Sequence, residues 1–329
     1  MIEIINTYFI KGVAMQKMRV FIAALIVTLF GLNAANKPNA AKLAQMQKES
    51  QKRINDFGAL LKELFSMDFA AFKKRVPSVS EQRQGLLLLS MATPKALRKS
   101  EFGDVKDERE KVLFLASKMK DKSGGGGVLY WAYNNNDKDA IQKLKKMGYL
   151  SSQALAVAIA LKDERIMNSL LKEGVEVTSD SIRALIASPK FSEDEKSKKL
   201  LKKLLPKVKN LNQLDKSGWN LLDYAANAEA AQILLDAGVR FRKNADALAS
   251  HVVTVGMFQE IAKRNQSRLT KSQSESLKND IKGKAELIEF YIKQGADPLE
   301  RGKQGKSAMD IAKKEGLDEV IAIFQKKKK

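Results

Sequence analysis

The sequence predicts an all-α protein built as a solenoid of short helix pairs, on three observations. Leu129, Ala132, Asp137, Leu144 and Gly148 recur at one constant offset as Leu155, Ala158, Asp163, Leu170 and Gly174. Self-similarity at a short fixed period is how stacked supersecondary units show themselves in a sequence. Short apolar patterns of helical spacing come in pairs and stop at a glycine, which enters the left-handed region without steric cost. Such glycines also keep a spacing: the intervals from Gly174 to Gly238 and from Gly238 to Gly295 each match the length of two units. Two short amphipathic helices cannot bury both apolar faces alone, so stacked neighbours are required.

The chain of 329 residues has ample length for a sizeable core in one or two domains. Lys and Arg number 59 against 38 Asp and Glu, a net charge of +21. That excess favours anionic partners, whether acidic proteins, nucleic acid or lipid headgroups, and says nothing about fold. There is no cysteine. Disulfides, thiolate metal sites, a Cys nucleophile and lipid attachment through an N-terminal cysteine are thereby excluded.

Residues 1–35 read as an export leader. Lys17 and Arg19 precede an apolar run from Val20 to Leu32, and Asn33 to Ala35 resembles a small-residue cleavage site. The run is short for a membrane span, although an uncleaved N-terminal anchor is the alternative. Met15 or Met18 makes a more natural start than Met1, which leaves 1–14 as a preamble. Removal of 1–35 takes away Lys11, Lys17, Arg19 and Glu3 and leaves +19.

Residues 36–123 are expected to form a helical N-terminal region, either a cap on the solenoid or degenerate repeats. Asn39 to Phe65 reads as one helix, with Phe57, Leu60, Leu61, Leu64 and Phe65 at helical spacing. Met67 to Val76 continues as a short helix ended by Pro77. Ser78 and Glu81 have capping-box spacing for the next helix, which carries Leu86 to Leu89 and stops before Pro94. A further helix spans Asp107 to Lys120, with Val112, Leu113, Leu115, Ala116 and Met119 inward.

The solenoid is placed at 124–329. Gly124 to Gly127 reads as a linker or loosened turn, because no Gly-Lys-Ser/Thr follows to make a phosphate loop. Tyr130, Trp131 and Tyr133 read as core. After the two recurring units, Thr178 to Asn210 makes a third, in which Ser192 and Glu195 have capping-box spacing. There Leu200, Leu201, Leu204 and Leu205 form the buried stripe, opposite Lys198, Lys199, Lys202 and Lys203. The fourth unit is Ser217 to Val239. Asn244 to Asn265 and Leu269 to Pro298 supply a fifth and a sixth. The seventh is Gly305 to Gln325, running into the Lys326 to Lys329 tail.

The fourth unit, S-G-W-N-L-L-D-Y-A-A-N-A-E-A-A-Q-I-L-L-D-A-G-V, resembles an ankyrin repeat. Gly218, Leu222, Ala225, Ala226, Leu234, Leu235 and Gly238 stand in register with that family's pattern. Asn220, Leu221 and Asp223 replace its Thr, Pro and His, so its polar network between repeats is not expected here. The seventh unit has S-A-M-D-I-A where the family has T-P-L-H-x-A, and the sixth ends in a family-like G-A-D-P at Gly295 to Pro298. The resemblance covers 124–326. The first two units are shorter than the family's repeat of roughly 33 residues.

Ankyrin proteins contact partners through hairpin tips, which the resemblance places at Lys216, Ser217 and Trp219 and at Lys303, Gln304 and Lys306. Trp219 has two readings, an interface anchor that gains from desolvation or a side chain packed on a neighbouring hairpin. Gly302 to Ser307 looks like the end of a phosphate loop, but Glu300 stands where the first Gly belongs, and a hairpin turn explains it better. His251 is the one histidine, with no cysteine or second histidine to join it as a metal ligand, so a structural or surface role is expected. No catalytic, cofactor-binding or metal-binding residue is assigned. The sequence thus points to a non-enzymatic protein–protein interaction module exported from a bacterial cell. The alternative is a basic solenoid that binds nucleic acid or anionic envelope components by charge.

Overall fold

A computed structural model describes residues 40–93, 104–122, 125–188, 191, 193–264, 266 and 269–326. The leader, Pro94, Gly124, Ser192, Asn265 and Lys327 to Lys329 lie outside the described residues. Among the described residues the regular structure is helical, and no helix there is long and apolar enough to cross a membrane. The chain divides into two compact units, the first ending at Val175 and the second beginning at Glu176. The expected boundary at 123/124 therefore falls inside the first unit.

In the first unit, α1 (Ala40–Ser66) is followed by α2 (Phe69–Arg75), α3 (Glu81–Ala92) and α4 (Glu108–Lys118). Leu64, Phe65, Phe72, Leu87, Val112 and Leu115 form their shared core. Lys111 is completely buried, and its ammonium donates to the carbonyls of Leu64, Phe65 and Met67 at the end of α1. Three donors thus meet carbonyls that the helix itself leaves unpaired. The spacing of Ser78 and Glu81 does not make a capping box: Ser78 bonds back to the Arg75 carbonyl, and the N-cap of α3 is Ser80, with no side-chain cap bond.

Next come α5 (Gly126–Asn134), α6 (Lys138–Lys146), α7 (Ser151–Leu161) and α8 (Glu164–Lys172). The recurrence seen in the sequence is a recurrence of hydrogen bonds. Asp137 and Asp163 cap α6 and α8 by accepting from the N–H of Ala140 (2.9 Å) and Ile166 (3.1 Å). Their own N–H groups donate to Ala132 and Ala158, which closes the turn from the preceding helix. Gly148 and Gly174 then take φ of 91° and 81°, and the next N–H returns to Leu144 and Leu170 at 3.1 Å.

Within the glycine run, Gly125 and Gly126 sit at the turn into α5 and serve close packing, not a linker. Gly125 and Gly126 are buried, and a Cβ on Gly126 would come within 2.6 Å of the Gln153 carbonyl oxygen. Helix α5 can therefore lie directly on α7. Tyr130, Trp131 and Tyr133 are buried, with polar tips donating to Asp163, Glu108 and Glu173.

The second unit opens with α9 (Ser179–Ile186) and α10 (Glu195–Leu204). The cap of α10 is Asp194, which accepts from the Ser197 N–H, in place of the expected Ser192 and Glu195 pair. Leu200, Leu201, Leu204 and Leu205 are buried as a stripe, while Lys199, Lys202 and Lys203 are exposed. Lys198 is not on that solvated face; it is half-buried and bridges Glu195 and Glu229 at 2.8 Å each.

The fourth unit keeps its second helix, α11 (Ala228–Asp236), but the expected first helix is only a 3₁₀ turn at Leu222–Tyr224. The Asn220 side chain accepts from the N–H of Leu222 and Asp223, and the chain turns away to give the Ala226 N–H to Ile186. The fifth and sixth units are not helix pairs. Each is one continuous helix, α12 (Ala245–Arg264) and α13 (Lys271–Lys293), and the two pack on each other. Thr270 closes α13 at its start with a capping box to Gln273. The seventh unit forms α14 (Ala308–Glu315) and α15 (Asp318–Lys326), joined through Gly316 at φ 64°.

Candidate functional site

The two expected hairpin tips belong to the second unit, and the structure brings them to one edge. Residues 215–220 form a tight turn with Gly218 at φ 81°. Its organiser is Asp215, whose carboxylate accepts from the N–H of Ser217 (2.8 Å) and Trp219 (3.0 Å) and from the Tyr224 hydroxyl. Burial alone would raise the Asp215 pKa, but these donors hold it below its ordinary value. Arg183 lies over the Tyr224 ring at 4.2 Å and approaches Asp215 at 3.8 Å.

Residues 301–307 form the second turn, closed by Gly302 N–H to Lys306 O (3.1 Å) and Gly305 N–H to Gly302 O (2.9 Å). Ser307 caps α14 through a capping box with Asp310. Lys303 joins the tips: its ammonium donates to the Ser217 carbonyl at 3.3 Å. Its backbone N–H donates to Asp246 Oδ1 at 2.9 Å, which ties this turn to the start of α12. A Cβ at Gly302 would lie 2.2 Å from the same oxygen and would displace the Asp246 carboxylate. Arg242 adds a third link, donating to the Gly218 carbonyl at 2.9 Å.

Lys216, Ser217, Lys303, Gln304 and Lys306 are exposed, as is Arg242. Trp219 is half-buried and packs against Tyr224 with ring centroids 5.3 Å apart. That contact lies within its own unit and not with a neighbouring hairpin, and part of the indole is open to solvent. The edge is cationic: Lys216, Arg242, Lys303 and Lys306 share it.

Behind the edge lies a polar network that the family pattern did not suggest. Buried Asn220 donates to the Arg240 carbonyl at 2.9 Å, and buried Asp223 accepts from the Asn220 N–H (2.9 Å) and the Asn244 amide (3.1 Å). Burial pushes the Asp223 carboxyl above its ordinary value, against the hydrogen bonds that favour the charge. The residues that depart from the ankyrin pattern thus satisfy one another.

A cleft of about 900 Å³ opens between the start of α11 and helices α12 and α13, lined among others by Asn227, Glu229, Phe258, Glu275, Asp280 and Lys284. Lys284 comes from the inner side of α13, four and seven residues before buried Ile288 and Tyr291. Its ammonium donates to the Ala225 carbonyl at 3.1 Å and lies 3.4 Å from His251 Nδ1. Burial lowers its pKa to about 8, with Asp280 opposing. His251 is buried against Tyr291, centroids 5.2 Å apart, and burial followed by the nearby lysine keeps it neutral well below its ordinary pKa. Tyr291 donates to the Leu222 carbonyl at 2.7 Å. The structural role expected for His251 is what these contacts describe.

Lys284 was legible as a lysine at a stripe position of α13, which periodicity alone leaves looking like a solvated cation. Asp215 and Arg183 carry no local sequence signal, because their partners come from separate segments. Among the described residues no group of three or more His, Asp or Glu is gathered as a metal ion would require. No protein-family model matches this chain, and no curated protein matches it.

Proposed function

We propose that this chain is a non-enzymatic binding protein, exported from a bacterial cell, whose second unit presents the edge at 215–220 and 301–307 to an acidic protein partner. The observation that carries this reading is the Lys303 bond to the Ser217 carbonyl, which ties two separate turns into one pre-formed surface. A pre-formed surface loses less entropy on binding, and its cations favour a partner of opposite sign. The open part of Trp219 supplies an apolar contact beside them. We read the helix pairs, glycine stops and Asp caps as divergent ankyrin-like repeats, with α12 and α13 as an elongated pair within them. Export rests on the leader at 1–35.

The test is affinity capture with residues 36–329 at about 0.05 and 0.5 M salt, chosen to separate screened from unscreened charge contacts. A discrete protein kept at high salt and weakened by Trp219→Ala supports the reading. Release of nucleic acid or lipid alone at high salt favours the electrostatic alternative.

A further inference from the structure

We propose that Lys284 is a covalent carbonyl-binding site, at which a small aldehyde entering the α11–α13 cleft is taken up as a reversible imine. This rests on the cleft and is independent of the edge at 215–220 and 301–307.

Among the described residues, Lys284 is the half-buried lysine of this cleft. It lines an open cleft of about 900 Å³ and its side chain is half-buried, with the nitrogen at the enclosed end against Ala225 and His251. Two of its three ammonium positions are accounted for, one by the Ala225 carbonyl and one by the His251 ring. Lys111 is the instructive contrast: it is completely buried, and three carbonyls take its three donors. Lys111 is structural, whereas Lys284 keeps one position uncommitted.

The groups around Lys284 set its protonation. His251 faces it from α12 and is neutral; Asp280 lies one turn back on α13; Glu229, Glu275 and Glu193 line the same cleft. Burial outweighs the opposing pull of Asp280, and the pKa of about 8 leaves a sizeable fraction of free amine at neutral pH. At pH 7.4 that fraction is roughly a fifth, against about a thousandth for an ordinary lysine. Reduced basicity takes back roughly a factor of ten in intrinsic nucleophilicity, which leaves a net advantage of about twentyfold.

The step balances without oxidant or reductant. The nitrogen lone pair attacks the carbonyl carbon, the C–N bond forms, and the C=O π pair moves to oxygen. A proton passes from nitrogen to that oxygen through water, and loss of water gives the imine.

The test uses the folded chain and ¹³C-formaldehyde in limiting amount, with cyanoborohydride to trap each imine as a methylamine, followed by peptide mapping. Expected at pH 7.4 is methylation of Lys284 about twentyfold faster than of Lys271 and Lys282, exposed lysines that line the same cleft. The advantage should vanish and reverse near pH 10.5, where about half of an ordinary lysine is free and the lower intrinsic nucleophilicity of Lys284 tells. Methylation of Lys284 no faster than its neighbours at pH 7.4, or an advantage that persists unchanged at high pH, would overturn the proposal.

Discussion

Lys303 reaches across 86 residues of sequence to donate to the Ser217 carbonyl. That bond is exposed, so its value lies in registering two turns, not in stability. Lys303→Ala is expected to change unfolding free energy by less than about 0.5 kcal/mol. Gly302→Ala, one residue earlier, is expected to cost about 1 kcal/mol or more, since its new methyl group meets Asp246 Oδ1 at 2.2 Å. Urea denaturation of the two variants checks the contrast, and Asp246→Ala in the Gly302→Ala background should recover part of the loss.

The paired caps of the first unit make a second prediction. Asp163→Ala removes the bond to the Ile166 N–H and leaves the buried Tyr130 hydroxyl without its carboxylate acceptor. Loss of an N-cap costs about 1 kcal/mol, and an orphaned buried hydroxyl adds about 1 kcal/mol or more. Tyr130→Phe removes only the hydroxyl, keeps the Asp163 cap on the Ile166 N–H, and should be milder. If Tyr130→Phe destabilises the chain as much as Asp163→Ala, the cap contributes nothing.

These caps explain what was legible in the sequence. Asp137 and Asp163, with Gly148 and Gly174, recur because each performs a backbone task that few residue types can perform, so period and structure coincide. Helices α12 and α13 were not legible as such. The interval from Gly238 to Gly295 has the length of two helix pairs, and one long pair fills it equally well. Gly256 and Gly283 do not break these helices; a Cβ at either would meet neighbours only at ordinary contact distance. The 3₁₀ turn at Leu222–Tyr224 was hidden for a different reason. Asn220 and Asp223 look like simple replacements for the family's Thr and His, yet their partners, Arg240 and Asn244, come from beyond α11.

Glycines in and near the run at 124–127 differ from one in α1. Gly126→Ala places a methyl group 2.6 Å from the Gln153 carbonyl oxygen, a backbone atom with little freedom to yield. Overpacking of that kind costs about 1–3 kcal/mol. Gly58→Ala, inside α1 with nothing within 4 Å of the new Cβ, should stabilise by about 0.5–1 kcal/mol. Thermal melts of both variants give the sign directly; equal and small shifts would contradict the packing role of Gly126.

His251 predicts a pH dependence. Its folded pKa lies well below 6.5 because burial, then Lys284, disfavour the charged ring. The unfolded chain therefore binds the extra proton first as pH falls. Stability from this residue is full above about pH 6.5 and declines as pH drops from there towards the folded pKa. Unfolding curves between about pH 7 and 5 should show that decline in the wild type, and a flatter profile in His251→Phe. Identical slopes would mean that the ring is not held neutral.

The binding edge is tested most directly by charge reversal at matched net charge. One variant carries Lys216, Lys303 and Lys306 as Glu; the control carries Lys199, Lys202 and Lys203, exposed on α10, as Glu. Both alter the net charge equally, so long-range attraction changes alike. Expected is that the first variant loses a discrete captured protein at about 0.15 M salt while the control retains it. Equal loss from both variants, or equal retention by both, would contradict a specific edge at 215–220 and 301–307.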